Sequence, residues 1–232
     1  MHKLIYDGVE SSAYGLYITG SGTFNAPERD VEEVTVPGRN GTLTRDNKRF
    51  KNIPVTYPCF IKSNFLKNTS GLRKWLLKEA GYRRLEDTYH SEYYRMARFK
   101  GPIDFDVRAL NKSGEVSLEF DCMPQRFLKA GEEDIEVLEA TTIVNPTIFD
   151  STPLIRVYGT SGTLIVNDIT VNISEIDEYV DLDCDIQDAY KGSNNKNATV
   201  SQTFPTLHAG ANTIAFGDGI TSVIVRPRWW TV

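Results

Sequence analysis

Stretches in which apolar and polar residues alternate, each closed by Gly, Pro or Asn, recur from one end of the chain to the other. A period of two sets every second side chain on one face of a pleated strand, whereas a helix needs a period of 3.6. Residues 116–122, Val-Ser-Leu-Glu-Phe-Asp-Cys, alternate without a break and stop before Pro124. Residues 31–36 lead into Pro37-Gly38-Arg39-Asn40-Gly41, where Asn40-Gly41 is expected to turn an extended hairpin because both residues tolerate positive φ. Residues 55–61 read as a strand that Pro58, lacking an N–H, draws towards a sheet edge. One segment has helical spacing: Leu72, Trp75, Leu76 and Ala80 share a face, Asn68-Thr69-Ser70 offers the cap and Gly81 the stop. The expected fold class is mainly β with one α-helix.

At 232 residues there is room for one large or two small domains. The charge divides unevenly between the halves. Residues 1–130 carry 21 Lys+Arg and 16 Asp+Glu (21 − 16 = +5), and residues 131–232 carry 5 and 15 (5 − 15 = −10), which together make the net −5. The changeover at Lys129-Ala130-Gly131-Glu132-Glu133-Asp134 reads as a short linker, giving domains over 1–131 and 132–232. The first is expected to be a β-sandwich or barrel-like domain carrying the helix and the extended hairpin. In the second, short strands at residues 154–158, 163–166, 169–173, 214–216 and 221–225, separated by Gly- and Asn-rich turns, point to a β-sandwich.

Composition and motifs exclude several classes of function. Values of 40 % apolar and 25 % charged residues are ordinary for a folded domain. Apolar runs such as Leu164-Ile165-Val166 are too short to cross a bilayer as a helix, and the stretch from Met1 to Asp7 does not read as a secretory signal. Three widely spaced cysteines, Cys59, Cys122 and Cys184, make neither a disulfide framework nor a zinc ribbon, and they fit a reducing compartment. No nucleophile elbow, His-Glu-x-x-His helix or phosphate-binding Gly-Lys loop occurs, and His2, His90 and His208 lie at the terminus or in expected loops. No enzyme activity, cofactor or metal is therefore expected. Asp181-Leu182-Asp183-Cys184-Asp185 resembles the opening of a calcium loop, but Ile186 stands where the loop needs Gly. The favoured reading is a strand with its carboxylates towards water. The tyrosines and arginines interleaved between Tyr82 and Lys100 read as interface or core rather than as a nucleic-acid surface. Trp229 and Trp230 are a candidate partner or glycan surface, against the competing reading of a buried terminal strand. Five Asn-x-Ser/Thr triplets, one at Asn111, read as chance without a secretory route.

Four stretches taken in order are more specific. Val36-Pro37-Gly38-Arg39-Asn40-Gly41-Thr42-Leu43 is similar to the Pro-Gly-Arg-Asp-Gly hairpin of the distal tail protein (Dit) family of long non-contractile-tailed (siphovirus) phages, with Asn40 in place of the usual Asp. Leu72 to Leu76, then Tyr82-Arg83-Arg84-Leu85-Glu86-Asp87 and Tyr93-Tyr94-Arg95-Met96-Ala97, resemble that family's helix and following strands. Phe120-Asp121-Cys122-Met123-Pro124-Gln125-Arg126 resembles the close of its first domain. Asn145, Pro153-Leu154-Ile155, Gly159, Phe204-Pro205-Thr206-Leu207, Gly210-Ala211-Asn212 and Arg228-Trp229 resemble its galectin-like second domain.

The resemblance implies a structural virion protein at the phage tail tip, synthesised in the bacterial host cytoplasm. Its first domain would build a homohexameric ring at the distal end of the tail tube, with the galectin-like domain outward. The implied partners are its own copies, the tail tube protein, a tail-tip or tail-associated protein and a receptor-binding protein. DNA would pass through the ring without sequence-specific binding, and no membrane is involved. The hairpin residues Pro37, Gly38, Arg39, Asn40 and Gly41 are the candidate subunit contact, which ring closure through exposed sheet edges would favour. The alternative is a carbohydrate-binding receptor-recognition module using Trp229 and Trp230.

Overall fold

The structure is a computed structural model that describes residues 1–20, 22–108, 112–201 and 203–232. The triplet at Asn111 lies outside the described residues. The chain divides into two compact units, residues 1–126 and 127–231. Lys129–Glu132, the stretch that suggests a linker, is a 3-10 turn within the second unit, and Gly131 is buried there.

The first unit contains β1 (Leu4–Tyr6), β2 (Val9–Glu10), β3 (Leu16–Ile18), β4 (Arg29–Thr35), β5 (Thr42–Phe50) and β6 (Ile53–Ile61). After the helix α1 (Phe65–Leu77) come β7 (Arg83–Asp87), β8 (Tyr93–Phe99), β9 (Phe105–Arg108) and β10 (Ser113–Cys122). Its main sheet runs β2-β1-β7-β8-β10-β6-β3, with β9 beside the first half of β10 and all pairings antiparallel. The alternation read in residues 116–122 is real: Val116, Leu118, Phe120 and Cys122 are buried while Ser117 and Glu119 face solvent. Pro58 is tolerated one strand in from the edge rather than on it. Its carbonyl accepts from the Thr19 N–H at 2.8 Å, on the side where β3 has already ended. A residue's N–H and C=O point the same way in a strand, so the missing donor breaks no ladder bond with β10.

The helix covers the sheet with Phe65, Thr69, Leu72 and Leu76, and the Trp75 indole N–H donates to the Tyr6 carbonyl at 3.1 Å. It begins earlier than the Asn68-Thr69-Ser70 triplet suggests. Asn64 precedes it in the left-handed region, at φ 51°, and makes no side-chain cap. Asn68 and Thr69 instead lie in the first turns and bond back to the carbonyls of Ser63 and Leu66. The helix ends at Leu77, before the Gly81 read as its stop.

The second unit contains most of β11 (Arg126–Leu128), then β12 (Ile135–Val137), β13 (Thr141–Asn145), β14 (Leu154–Gly159), β15 (Gly162–Val166) and β16 (Ile169–Ile173). These are followed by β17 (Tyr179–Asp183), β18 (Asp188–Lys191), β19 (Asn194–Asn195), β20 (Gly210–Phe216), β21 (Ile220–Arg226) and β22 (Trp230–Thr231). One sheet is ordered β12-β21-β14-β17-β18-β19 and the other β13-β20-β15-β16. Ile155, Val157, Leu182, Val223 and Val225 of the first share one core with Ile143, Leu164, Val166, Val171 and Ile214 of the second. That is the two-layer sandwich the strand spacing calls for.

At one corner of the sandwich two backbones nearly touch. Gly159 follows a register shift in β14 at φ 149°, and a Cβ there would lie 2.1 Å from the Gly219 carbonyl oxygen. Gly159→Ala is expected to destabilise the chain by about 3 kcal/mol, a backbone-strain effect, read as a lower urea midpoint at unchanged slope.

Candidate assembly surface

Strands β4 and β5 form a sheet of their own, a two-stranded ribbon that no other strand extends among the described residues. Its register pairs Thr35 with Thr42, Val34 with Leu43 and Glu32 with Arg45. Most of its residues are exposed on both faces, including Val34 at 49 % and Leu43 at 42 %. A ribbon of this kind has no apolar face to bury, and two strands alone are marginal in water.

Charge takes the place of a core. Arg29 meets Asp46 at 2.8 Å, Arg49 meets Asp30 at 2.6 Å, Lys51 meets Glu28 at 3.2 Å and Arg45 faces Glu32 at 3.7 Å. The hydrogen bond from Arg49 holds the Asp30 carboxyl below its ordinary range. Exposed ion pairs are individually weak, but several along one ribbon fix its register and keep its open edges from pairing indiscriminately.

The tip residues Pro37, Gly38, Arg39, Asn40 and Gly41 are all exposed. The chain reverses at Pro37-Gly38 rather than at Asn40-Gly41. The Arg39 N–H donates to the Val36 carbonyl at 3.1 Å and Gly38 sits at φ 80°, the arrangement of a type II turn with Pro in its second position. Gly41 also has positive φ, but Asn40 does not, so the two do not form the tight hairpin turn expected of them. The Arg39 guanidinium has no ion-pair partner among the described residues and stands at the end of the ribbon as an open fork.

Trp229 and Trp230 do not form a paired platform. Trp229 is 4 % exposed inside the sandwich core, while Trp230 stacks on Phe149 at 4.4 Å and donates its indole N–H to the Asp150 carbonyl at 2.9 Å. Trp229 lies just before β22, after Arg228 in the left-handed region at φ 57°, and its ring and that of Trp230 go to different surroundings. The tyrosine–arginine tract is consumed within the sheet: Arg84 lies over Tyr94 at 3.8 Å, Arg98 over Tyr82 at 5.0 Å and Arg126 over Tyr93 at 4.3 Å. All three thiols are buried, and burial pushes each up to about 12, which leaves them inert at neutral pH.

Residues 179–183 of the acidic run are a strand, with Val180 and Leu182 in the core, but the carboxylates of Asp181 and Asp183 on the other face are covered by arginines rather than open to water, and only Asp185, past the strand, is exposed. Asp181 is 4 % exposed and takes two hydrogen bonds from Arg156, at 2.6 and 2.9 Å. Asp183 is 7 % exposed and takes two from Arg228, at 2.7 and 3.0 Å. No cluster of metal-ligating side chains occurs among the described residues. The sequence reading missed a further polar group on the core face of the first unit. There Tyr57 donates to Asp87 at 2.9 Å, near a buried Arg95. Its one local signal is that Arg95 alternates with Ala97 and Phe99 on the inward side of β8.

No protein-family model matches the chain, and no curated protein matches it. Among solved structures the fold is that of the phage distal tail proteins. The crystal structure of the Dit protein of phage SPP1, described as a paradigm of the hub adsorption apparatus of phages infecting Gram-positive bacteria, superposes with a TM-score of 0.79 at 11 % identity over 100 % of both chains. The baseplate of phage P2 in its calcium-activated conformation contains a chain that matches at a TM-score of 0.53 and 9 % identity, over 97 % of this chain and 98 % of that one. At such identities the likeness is one of fold.

Burial alone would raise the Asp183 carboxyl, and the Arg228 fork outweighs it, so the group is held below its ordinary value. A depressed carboxylate contributes stability above the unfolded value near 4 and loses it as pH falls through the folded one. Arg228→Leu is expected to cost roughly 3 kcal/mol at pH 7, because it strands a buried charge. The sign of the acid response should then invert: with its partner gone Asp183 binds a proton more readily folded than unfolded, so urea midpoints of the variant partly recover on acidification to about pH 5.

Proposed function

We propose that this chain is a structural protein of a phage tail, the hub that joins the distal end of the tail tube to the tail-tip and receptor-binding apparatus. The observation that carries the reading is the match to the SPP1 Dit protein over 100 % of both chains at a TM-score of 0.79. The hub is a homohexameric ring of first units with the second units outward, and DNA passes through its channel without being read. Its neighbours are the tube protein, a tail-tip or tail-associated protein and a receptor-binding protein, and it resides in the virion after synthesis in the host cytoplasm. It has no catalytic task. The first unit, residues 1–126, is the ring-forming domain and the second, residues 127–231, the galectin-like sandwich, so the boundary falls a few residues before the 131/132 junction read from the charge change.

Physics supports a ring with the ribbon in its contacts. An exposed two-stranded ribbon with open edges gains order only against a second surface, and a head-to-tail contact that closes on itself leaves no edge free to polymerise. The unpaired Arg39 fork at the tip is suited to a carboxylate on the neighbouring copy. The glycan-module reading loses its two-ring platform, because Trp229 is inside the core.

Light scattering on the purified chain at rising concentration is expected to reach six copies of 26.1 kDa, about 157 kDa. A monomer that persists at high concentration overturns the ring. Arg39→Glu should leave the monomer's circular dichroism unchanged and lower the assembled fraction at least tenfold, about 1.4 kcal/mol. Undiminished assembly would remove the tip from the contact.

A further inference from the structure

A cleft interrupts the core face of the first unit, and its charges do not balance. Arg95 is 7 % exposed, and its one hydrogen bond is a long contact to the Pro124 carbonyl at 3.4 Å. Arg126 lines the same cleft. Neither guanidinium has a carboxylate within ion-pair distance among the described residues. The acids on the walls are already engaged. Asp87 accepts from the Tyr57 hydroxyl and from the backbone N–H groups of Tyr89 and His90, each at 2.9 Å, and Glu86 is paired with Arg84. His90 also lines the cleft, but its Nε2 is packed close to Gly22, out of reach of the open space, and has no hydrogen-bond partner among the described residues. The enclosed space in the cleft is about 20 Å³, enough for one water-sized atom, and the cleft opens outward from there.

We propose that this cleft is an acceptor site for a carboxylate, held by the guanidiniums of Arg95 and Arg126. Counting Arg95 and Arg126 against Asp87 leaves one positive charge over, held largely out of water. A water molecule fills the space but leaves that charge uncompensated, whereas a carboxylate fills it and neutralises it. The guanidinium fork matches the two oxygens of a flat carboxylate. The inference rests on the first unit alone and holds whether or not the chain forms a ring.

The test is a titration of the full chain with sodium acetate at pH 7, replacing chloride at constant ionic strength, with sulfate as the parallel series. Acetate is expected to raise the thermal midpoint along a saturable curve by about 2–4 °C, whereas sulfate, which stabilises by exclusion from the surface, should give only a rise that does not saturate. Arg126→Ala, at the open side of the cleft, should keep its acetate-free midpoint within about 2 °C of the parent and bind acetate about tenfold more weakly. An acetate response that rises without saturating, as sulfate's does, or an equal acetate response in the variant, would overturn the site. Light scattering of the concentrated chain in saturating acetate then identifies the source. Loss of self-association assigns the carboxylate to a second copy of the chain, and an unchanged mass assigns it to a free small acid, the site standing in either case.

Discussion

The pairing of β6 with β10 governs the first unit. Nine consecutive residue pairs, from Gly114 with Ile61 to Cys122 with Ile53, set two alternating strands in one register. Val55, Tyr57, Cys59 and Ile61 then share an inward face with Val116, Leu118, Phe120 and Cys122, and a slip of one residue would turn the whole apolar set of the slipped strand to solvent. Everything else in the unit takes its place from that face. The Phe120 ring meets Tyr6, Tyr57 and Phe99, α1 lands Leu72 and Leu76 in the same core, and β8 carries its parity through to Arg95.

The same chemistry, arginine against aspartate, serves three ends at three depths. On the exposed ribbon it stands in for a missing core and fixes register. In β17 it lets a strand buried from Val180 to Asp183 carry two acids, because forks from β14 and from Arg228, outside any strand, reach them. In the cleft of the first unit the pair is incomplete: Asp87 is claimed by Tyr57 and two backbone donors, and the guanidiniums face open space.

What could be read from the chain alone follows the range of the interactions involved. The sandwich and the alternating strands were legible because period-two burial is a local property, plain in residues 116–122. The helix was legible from its apolar face, but its start was misplaced, since Asn64 opens it without a side-chain cap while Asn68-Thr69-Ser70 only looks like one. The ribbon's turn was legible as a region and misassigned within it, because Pro37-Gly38 competes with Asn40-Gly41 and the proline's fixed φ prevails. The burial of Asp181 and Asp183 beneath arginines was not legible at all. Their partners are 25 and 45 residues away, and a carboxylate without its arginine in view is naturally assigned to water. Arg95 escaped notice for the same reason.

The ribbon's lack of a core has a consequence for its mechanics. A strand pair stiffened by surface charge rather than by buried carbon responds to the electrolyte around it: as the screening length shrinks from about 10 Å towards 3 Å with added salt, the four ion pairs along it weaken together and the arm gains freedom. A limb of that kind surrenders conformational entropy each time it settles against a neighbour. A single contact made by such an arm would therefore be shallow and readily undone, and permanence would have to come from several arms engaged at once.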